Sequence, residues 1–260
     1  MRPSFSALFA LTVGGLAVLS LSSLPARADV ITLRADEWCP YNCAEASKPG
    51  YGVEIAREIF SKAGHTLDYK TVSWSRALDE CRKGGIDAVI GTTKKESPTF
   101  VFPEEHIGVA DNTFVVKKGN PWRYTGIPSL GAIKLGIIQD YGYDGEVGDY
   151  VEANTKNKAR ADVVGGDNAL DQNLKKLQAG RVDAVVDAKA VLQYKIGQLN
   201  MGEAVEFVGT VDPSLIYVAF SPAKPKSKEY AEIFDRGLAE MRASGQLRAI
   251  LARYGLEEWK

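Results

Sequence analysis

The segment Gly84-Gly85-Ile86-Asp87-Ala88-Val89-Ile90 returns almost unchanged as Gly180-Arg181-Val182-Asp183-Ala184-Val185-Val186. Leu78 and Cys81 precede the first copy, and Leu174 and Leu177 the second, at helical spacing. Each copy ends in a β-branched run. Each therefore reads as a helix stopped by Gly and fed into a buried strand. Two such units predict two similar α/β lobes, whereas a solenoid would need at least three stacked repeats. A cleft between paired lobes is the natural seat for a small ligand.

The start of the chain is read apart from the fold. Arg2 opens a short positive region, residues 7–21 are mostly apolar, and Ala26-Arg27-Ala28 is a small-x-small cleavage signal. A signal peptide over residues 1–28 is expected, with the exported chain starting at Asp29. An uncleaved anchor is the rival, but Thr12, Gly14, Gly15 and Ser20 interrupt the apolar run, which is short for a span. No Cys follows the cleavage site, which argues against lipid anchoring, and no later segment is apolar for long enough to cross a membrane. The product is expected to be soluble and exported, with no membrane insertion after cleavage.

With 32 basic and 33 acidic residues the net charge is −1, so nothing resembles the clustered basic face that nucleic-acid binding demands. Cys39 and Cys43 flank Pro40-Tyr41-Asn42, and in an oxidising compartment that spacing predicts a small local disulfide. Metal binding is the alternative, yet His65 and His106 are the only histidines and neither has ligand-like spacing. Neither a metal nor a cofactor is expected. Cys81 reads as a small buried hydrophobe.

Along the chain, residues 30–34 form a first strand, and after a loop Gly52 opens a helix with the apolar stripe Val53, Ile55, Ala56, Ile59 and Phe60. A strand follows at 67–72 and a helix at 75–83, leading into the first repeat copy. Residues 114–117 are extended and end at Gly119-Asn120-Pro121, a plausible hinge. Beyond it come strands at 134–138 and 161–164, helices near 142–154 and 170–178, the second copy and a helix at 190–199. Residues 215–220 return as a strand, and helices at 229–241 and 247–254 are separated by Gly245. Alternating strands and helices imply mostly parallel sheets. The division expected is 29–115 plus 217–260 for lobe 1 and 116–216 for lobe 2.

An ordered set of short motifs carries a resemblance. Trp38-Cys39-Pro40-Tyr41, Gly52-Val53-Glu54-Ile55, Trp74, the first Asp-Ala-Val copy, Phe102-Pro103, Leu135-Gly136-Ile137-Ile138, the second copy, Tyr217-Val218-Ala219-Phe220 and Gly245-Gln246-Leu247 occur in sequence. Together they resemble the bacterial extracellular solute-binding protein family 3, the periplasmic receptors of polar amino acid ABC importers. The resemblance implies a type II periplasmic-binding-protein fold, α/β, whose two lobes are joined by two crossing segments and close on ligand like a hinge. It also implies a monomer that takes a small polar solute and serves a membrane ABC permease.

Carried over residue by residue, the resemblance places Trp38 or Tyr41, and Trp74, as aromatic walls against the ligand. Asp36 is placed to receive an ammonium group. Thr92 and Thr93, after the first repeated strand, are polar contacts where backbone N–H groups cradle a carboxylate. Gln139, Tyr141 and Tyr143 lie between a strand and a helix start in lobe 2; both tyrosines are equally read as surface rings. Asp87 and Asp183 are read as structural groups at the helix-to-strand junctions.

Two departures stand against the family pattern. The Arg that grips a ligand α-carboxylate through a planar fork is missing from Lys94-Lys95-Glu96-Ser97-Pro98-Thr99. Arg76 is the substitute candidate, against an ordinary exposed charge. The carboxylate that receives the ligand ammonium is replaced by Ala188, with Asp187 one residue early, and in a strand that offset reverses the side chain.

The reading that follows is a non-catalytic receptor for a small polar, amino-acid-like or organic-anion solute. A dehydratase on the same scaffold, resembling the cyclohexadienyl dehydratases, is the enzymatic alternative, with Glu37 or Glu96 as its acid. A third reading has the loaded protein serving a sensor kinase or chemoreceptor.

Overall fold

A computed structural model describes residues 28–143, 145–211 and 213–259; the expected signal peptide lies outside them, apart from Ala28. In chain order the elements are β1 (Val30–Ala35), α1 (Tyr51–Lys62), β2 (Thr66–Thr71), α2 (Trp74–Arg82), β3 (Ala88–Thr92), β4 (Gly108–Ala110) and β5 (Asn112–Lys117). Then come α3 (Ile127–Leu130), β6 (Leu135–Ile138), α4 (Gly145–Asn154), β7 (Ala161–Val164), α5 (Ala169–Gln178), β8 (Ala184–Ala188) and α6 (Lys189–Gln198). The chain ends with β9 (Val205–Thr210), β10 (Ser214–Phe220), α7 (Ser227–Ser244) and α8 (Gln246–Ala252).

These strands form two sheets, ordered β2-β1-β3-β10-β4 and β7-β6-β8-β5-β9. In each, three strands run parallel, as βαβ connection requires, and the two strands next to the crossings run antiparallel to their neighbours. Both sheets are thus mixed. The strand pairing moves the crossings from the expected positions: the chain leaves the first sheet at Asp111, between β4 and β5, and returns between the end of β9 at Thr210 and the start of β10 at Ser214. All of Asn112–Val116 pairs with β8, so the run that reads as the end of lobe 1 is a central strand of lobe 2.

The two repeat copies do the same work in both sheets. Gly84 (φ 78°) and Gly180 (φ 67°) end their helices in the left-handed region that Gly adopts without a Cβ penalty. Asp87 then accepts Thr32 N–H (2.8 Å) and Thr32 Oγ1–H (2.6 Å), and Asp183 accepts Lys134 N–H (2.7 Å). Each aspartate ties the start of the adjacent parallel strand to its own. Lobe 1 is filled by the α1 stripe, where Phe60 meets the rings of Phe220, Tyr230 and Phe234 at 6.0–6.3 Å. In lobe 2 the pleat of β5 sends Phe114 and Val116 to one core and Val115 to the other.

Candidate ligand-binding site

The loop after β1 is held tightly enough to present a ring. Trp38 N–H donates to Asn42 O (2.7 Å), Asn42 Nδ2 donates to Asp36 O (2.8 Å), and Cys39 and Cys43 are joined by a disulfide. Trp38 therefore stands on Tyr41, stacked at 4.2 Å, and Tyr41 is fixed from behind by its hydroxyl donating to Val109 O (2.7 Å). Trp74, the first residue of α2, donates Nε1–H to Glu96 Oε1 (2.9 Å). Glu96 sits in the turn after β3, where Thr92 Oγ1–H donates to its Oε2 (2.6 Å).

Lobe 2 faces these groups with residues 139–143 and with β8. Tyr143 accepts Ile138 N–H (3.0 Å), which orders the loop, and Tyr141 reaches across to donate its hydroxyl to Asp36 Oδ2. Gly142 N–H donates to Glu96 Oε1 (2.7 Å), and Trp38 Nε1–H donates to Asp187 Oδ1 (2.7 Å). Further out, Lys95 pairs with Asp149 (2.6 Å) and Lys195 with Glu37 (2.8 Å). Apart from the Tyr143–Ile138 bond, each of these joins one lobe to the other. They enclose a chamber of about 40 Å³, far below the ~300 Å³ at which ligand pockets begin, so the cleft is shut.

Seven of the eleven candidate residues line the chamber: Asp36, Trp38, Trp74, Thr93, Tyr141, Tyr143 and Asp187. Four do not. Tyr41 backs Trp38, and Thr92 is buried beneath Glu96. Gln139 turns to Asp140 in an open groove on the far side of the loop. Arg76 lies outside on α2, paired with Glu80 at 2.7 Å and two-thirds exposed, so it is an ordinary helix charge and no carboxylate clamp. Of the lobe 2 tyrosines, Tyr143 is buried and Tyr141 half-buried, so neither is a surface ring. Asp187 lies within β8, opposite Thr113, and despite its one-residue offset its side chain is on the chamber, where it accepts Trp38 Nε1–H.

Sequence reasoning missed Asn112 and Ser214, which begin β5 and β10 at the crossings, and Gly142, whose lack of a side chain lets Glu96 approach. Glu96 was visible only as a candidate acid.

Among the described residues the lining holds three carboxylates, two indoles and two phenols, and no Lys, Arg or His. Burial raises the carboxyls of Glu96 and Asp187 to about 7 and that of Asp36 to about 6, against hydrogen bonds that favour the charged forms. Burial likewise pushes the Tyr141 and Tyr143 phenols well up. Among the described residues no cluster of His, Cys, Asp or Glu is placed to hold a metal ion, and no helix is long and apolar enough to cross a membrane.

Two α/β lobes linked by two crossings, with a polar chamber shut between them, define a two-lobed binding protein of the periplasmic-binding-protein fold. The chain belongs to the bacterial extracellular solute-binding proteins, family 3, whose profile matches residues 31–257. Comparison with curated protein sequences gives no match. Among solved structures, a histidine kinase sensor domain with similarity to periplasmic binding proteins is 22% identical, with a TM-score of 0.73 over 89% of this chain and 98% of that one. An ancestral arginine-binding protein bound to arginine is 21% identical, with a TM-score of 0.71 over 88% and 98%. A structure tied to glutathione import through the cystine ABC importer of Streptococcus mutans is 14% identical, with a TM-score of 0.74 over 90% and 98%.

Proposed function

We propose that this protein is an exported, periplasmic receptor that captures a small polar solute by hinge closure and delivers it to a membrane ABC importer as a monomer. The observation that carries this reading is the set of bonds across the chamber: Trp38 to Asp187, Tyr141 to Asp36 and Gly142 to Glu96. Parting the lobes breaks all three. A solute that touches both walls gains its differential affinity only in the shut state, and so shifts the population toward it. Residues 1–28 act as the signal, and mass spectrometry of the exported protein finds Asp29 first. A thermal-shift screen of the purified protein across amines, amino acids and organic acids tests the receptor reading. A ligand bound at a hundred times its Kd stabilises by ~2.7 kcal/mol, and a silent screen contradicts the reading.

A dehydratase reading has one observation in its favour: Glu96 is a half-buried acid whose carboxyl desolvation raises to about 7, as suits a general acid. Among the described residues the chamber offers no cation to grip a cyclic dicarboxylic acid. Incubation with prephenate or arogenate separates the readings, since an aromatic product would overturn the receptor. The likeness to a histidine kinase sensor domain favours, as a second partner, a sensor in place of the permease. The genes beside this one discriminate the two.

A further inference from the structure

We infer that the solute is a small organic cation without a carboxylate, an alkylamine, guanidine or quaternary ammonium, held between the rings and carboxylates that line the chamber, with the lobes closing around it less far than in the empty shut form. This rests on the receptor reading above and names its ligand class.

Charge is the first ground. Among the described residues, Asp36, Glu96 and Asp187 line the chamber and no basic side chain does. The cations around it are engaged elsewhere: Lys195 with Glu37 and Asp171 (2.8 and 3.2 Å), Lys95 with Asp149, Arg76 with Glu80, and Lys94 over the Tyr217 ring at 4.7 Å. A ligand carboxylate would be desolvated among three others with no fork to hold it.

The second ground is independent of the first. Asp187 is 1% exposed and its Oδ2 has no hydrogen-bond partner; Ser214 Oγ, also buried on the chamber wall, has none either. A buried acceptor left unmade is costly, and an N–H donor placed in the chamber satisfies it. Asp187 is therefore the anchor. Glu96 is already met by Trp74, Gly142 and Thr92, and Asp36 by Tyr141. Thirdly, Trp38, Trp74, Tyr141 and Tyr143 surround the same space, and ring quadrupoles attract a desolvated cation.

Matched pairs that differ by a carboxylate give the test: agmatine against arginine, 1,4-diaminobutane against ornithine, histamine against histidine, with choline and succinate beside them. Calorimetry on the purified exported protein is expected to show at least one carboxylate-free cation binding at least tenfold more tightly than its amino acid, with succinate silent. The inference is overturned, and the receptor reading kept, if an amino acid or succinate binds as tightly as the best cation. Silence from every compound overturns both. Asp187→Asn is expected to lose at least tenfold in affinity for the best cation, and an unchanged affinity contradicts the anchor. Ser214→Ala, which breaks no hydrogen bond within the protein, checks the same wall should Asp187→Asn fail to fold. A several-fold loss supports the assignment and no loss opposes it.

Discussion

Asp36, Glu96 and Asp187 are the residues whose chemistry the shut cleft changes most. With the lobes parted, water returns their carboxyls toward the ordinary range near 4. With them shut, burial raises Glu96 and Asp187 to about 7 and Asp36 to about 6. The groups facing Asp36 are Tyr141 and Glu37; Trp38 and Asp36 face Asp187; Trp74, Thr92 and Gly142 face Glu96. The shut form thus binds more protons than the open form between pH ~4 and 7, so acidification from pH 8 to 5 favours closure without ligand. Fluorescence transfer between dyes on the two lobes should rise at pH 5, and a pH-independent signal would contradict the burial of these acids. A cationic solute shows the opposite trend, because protonation removes the charge that holds it. Arg76→Lys, in turn, should leave binding unchanged by calorimetry. It alters only an exposed i,i+4 pair with Glu80, which water screens. Sequence could not decide Arg76's role, since α2 turns ~200° between Trp74 and Arg76 and only the packed structure fixes which of them faces the cleft. Tyr41 and Trp38 posed the same difficulty within a disulfide-closed loop, where no periodicity tells the front ring from the one behind it.

Elements were more legible than residues where a local signal set them. The helix-Gly-Asp-strand repeat fixed β3 and β8 and the duty of their aspartates, because helix stop, latch and strand lie within a few residues of one another. Asp87→Ala should therefore cost about 2 kcal/mol in urea unfolding at pH 7, through lost bonds to Thr32 and Lys224. No cost would deny the latch. Strands β4 and β9 escaped notice, being short or stabilised chiefly by their neighbours across the sheet. The loop after β6 gives a sharper prediction. A methyl group on Gly142 would lie 2.6 Å from Glu96 Cβ, in the facing lobe. Gly142→Ala should leave each lobe folded, by circular dichroism, yet prop the cleft ajar and weaken ligand binding at least tenfold. Wild-type affinity in that variant would mean the loop does not meet Glu96 on closure.

For the whole molecule, the ordered motifs sufficed for two lobes and their discontinuous chain. The crossings were set a few residues late, because hydrophobicity alone does not reveal that Asn112–Val116 pairs with β8. The chamber's chemistry was the least legible part, since its three carboxylates come from segments far apart in sequence. Small-angle X-ray scattering with and without the tightest-binding cation of the panel is the most direct measurement. A fall in the radius of gyration on binding for the wild type, and none for Gly142→Ala, is the predicted result. An unchanged radius in the saturated wild-type protein would contradict hinge closure around the chamber.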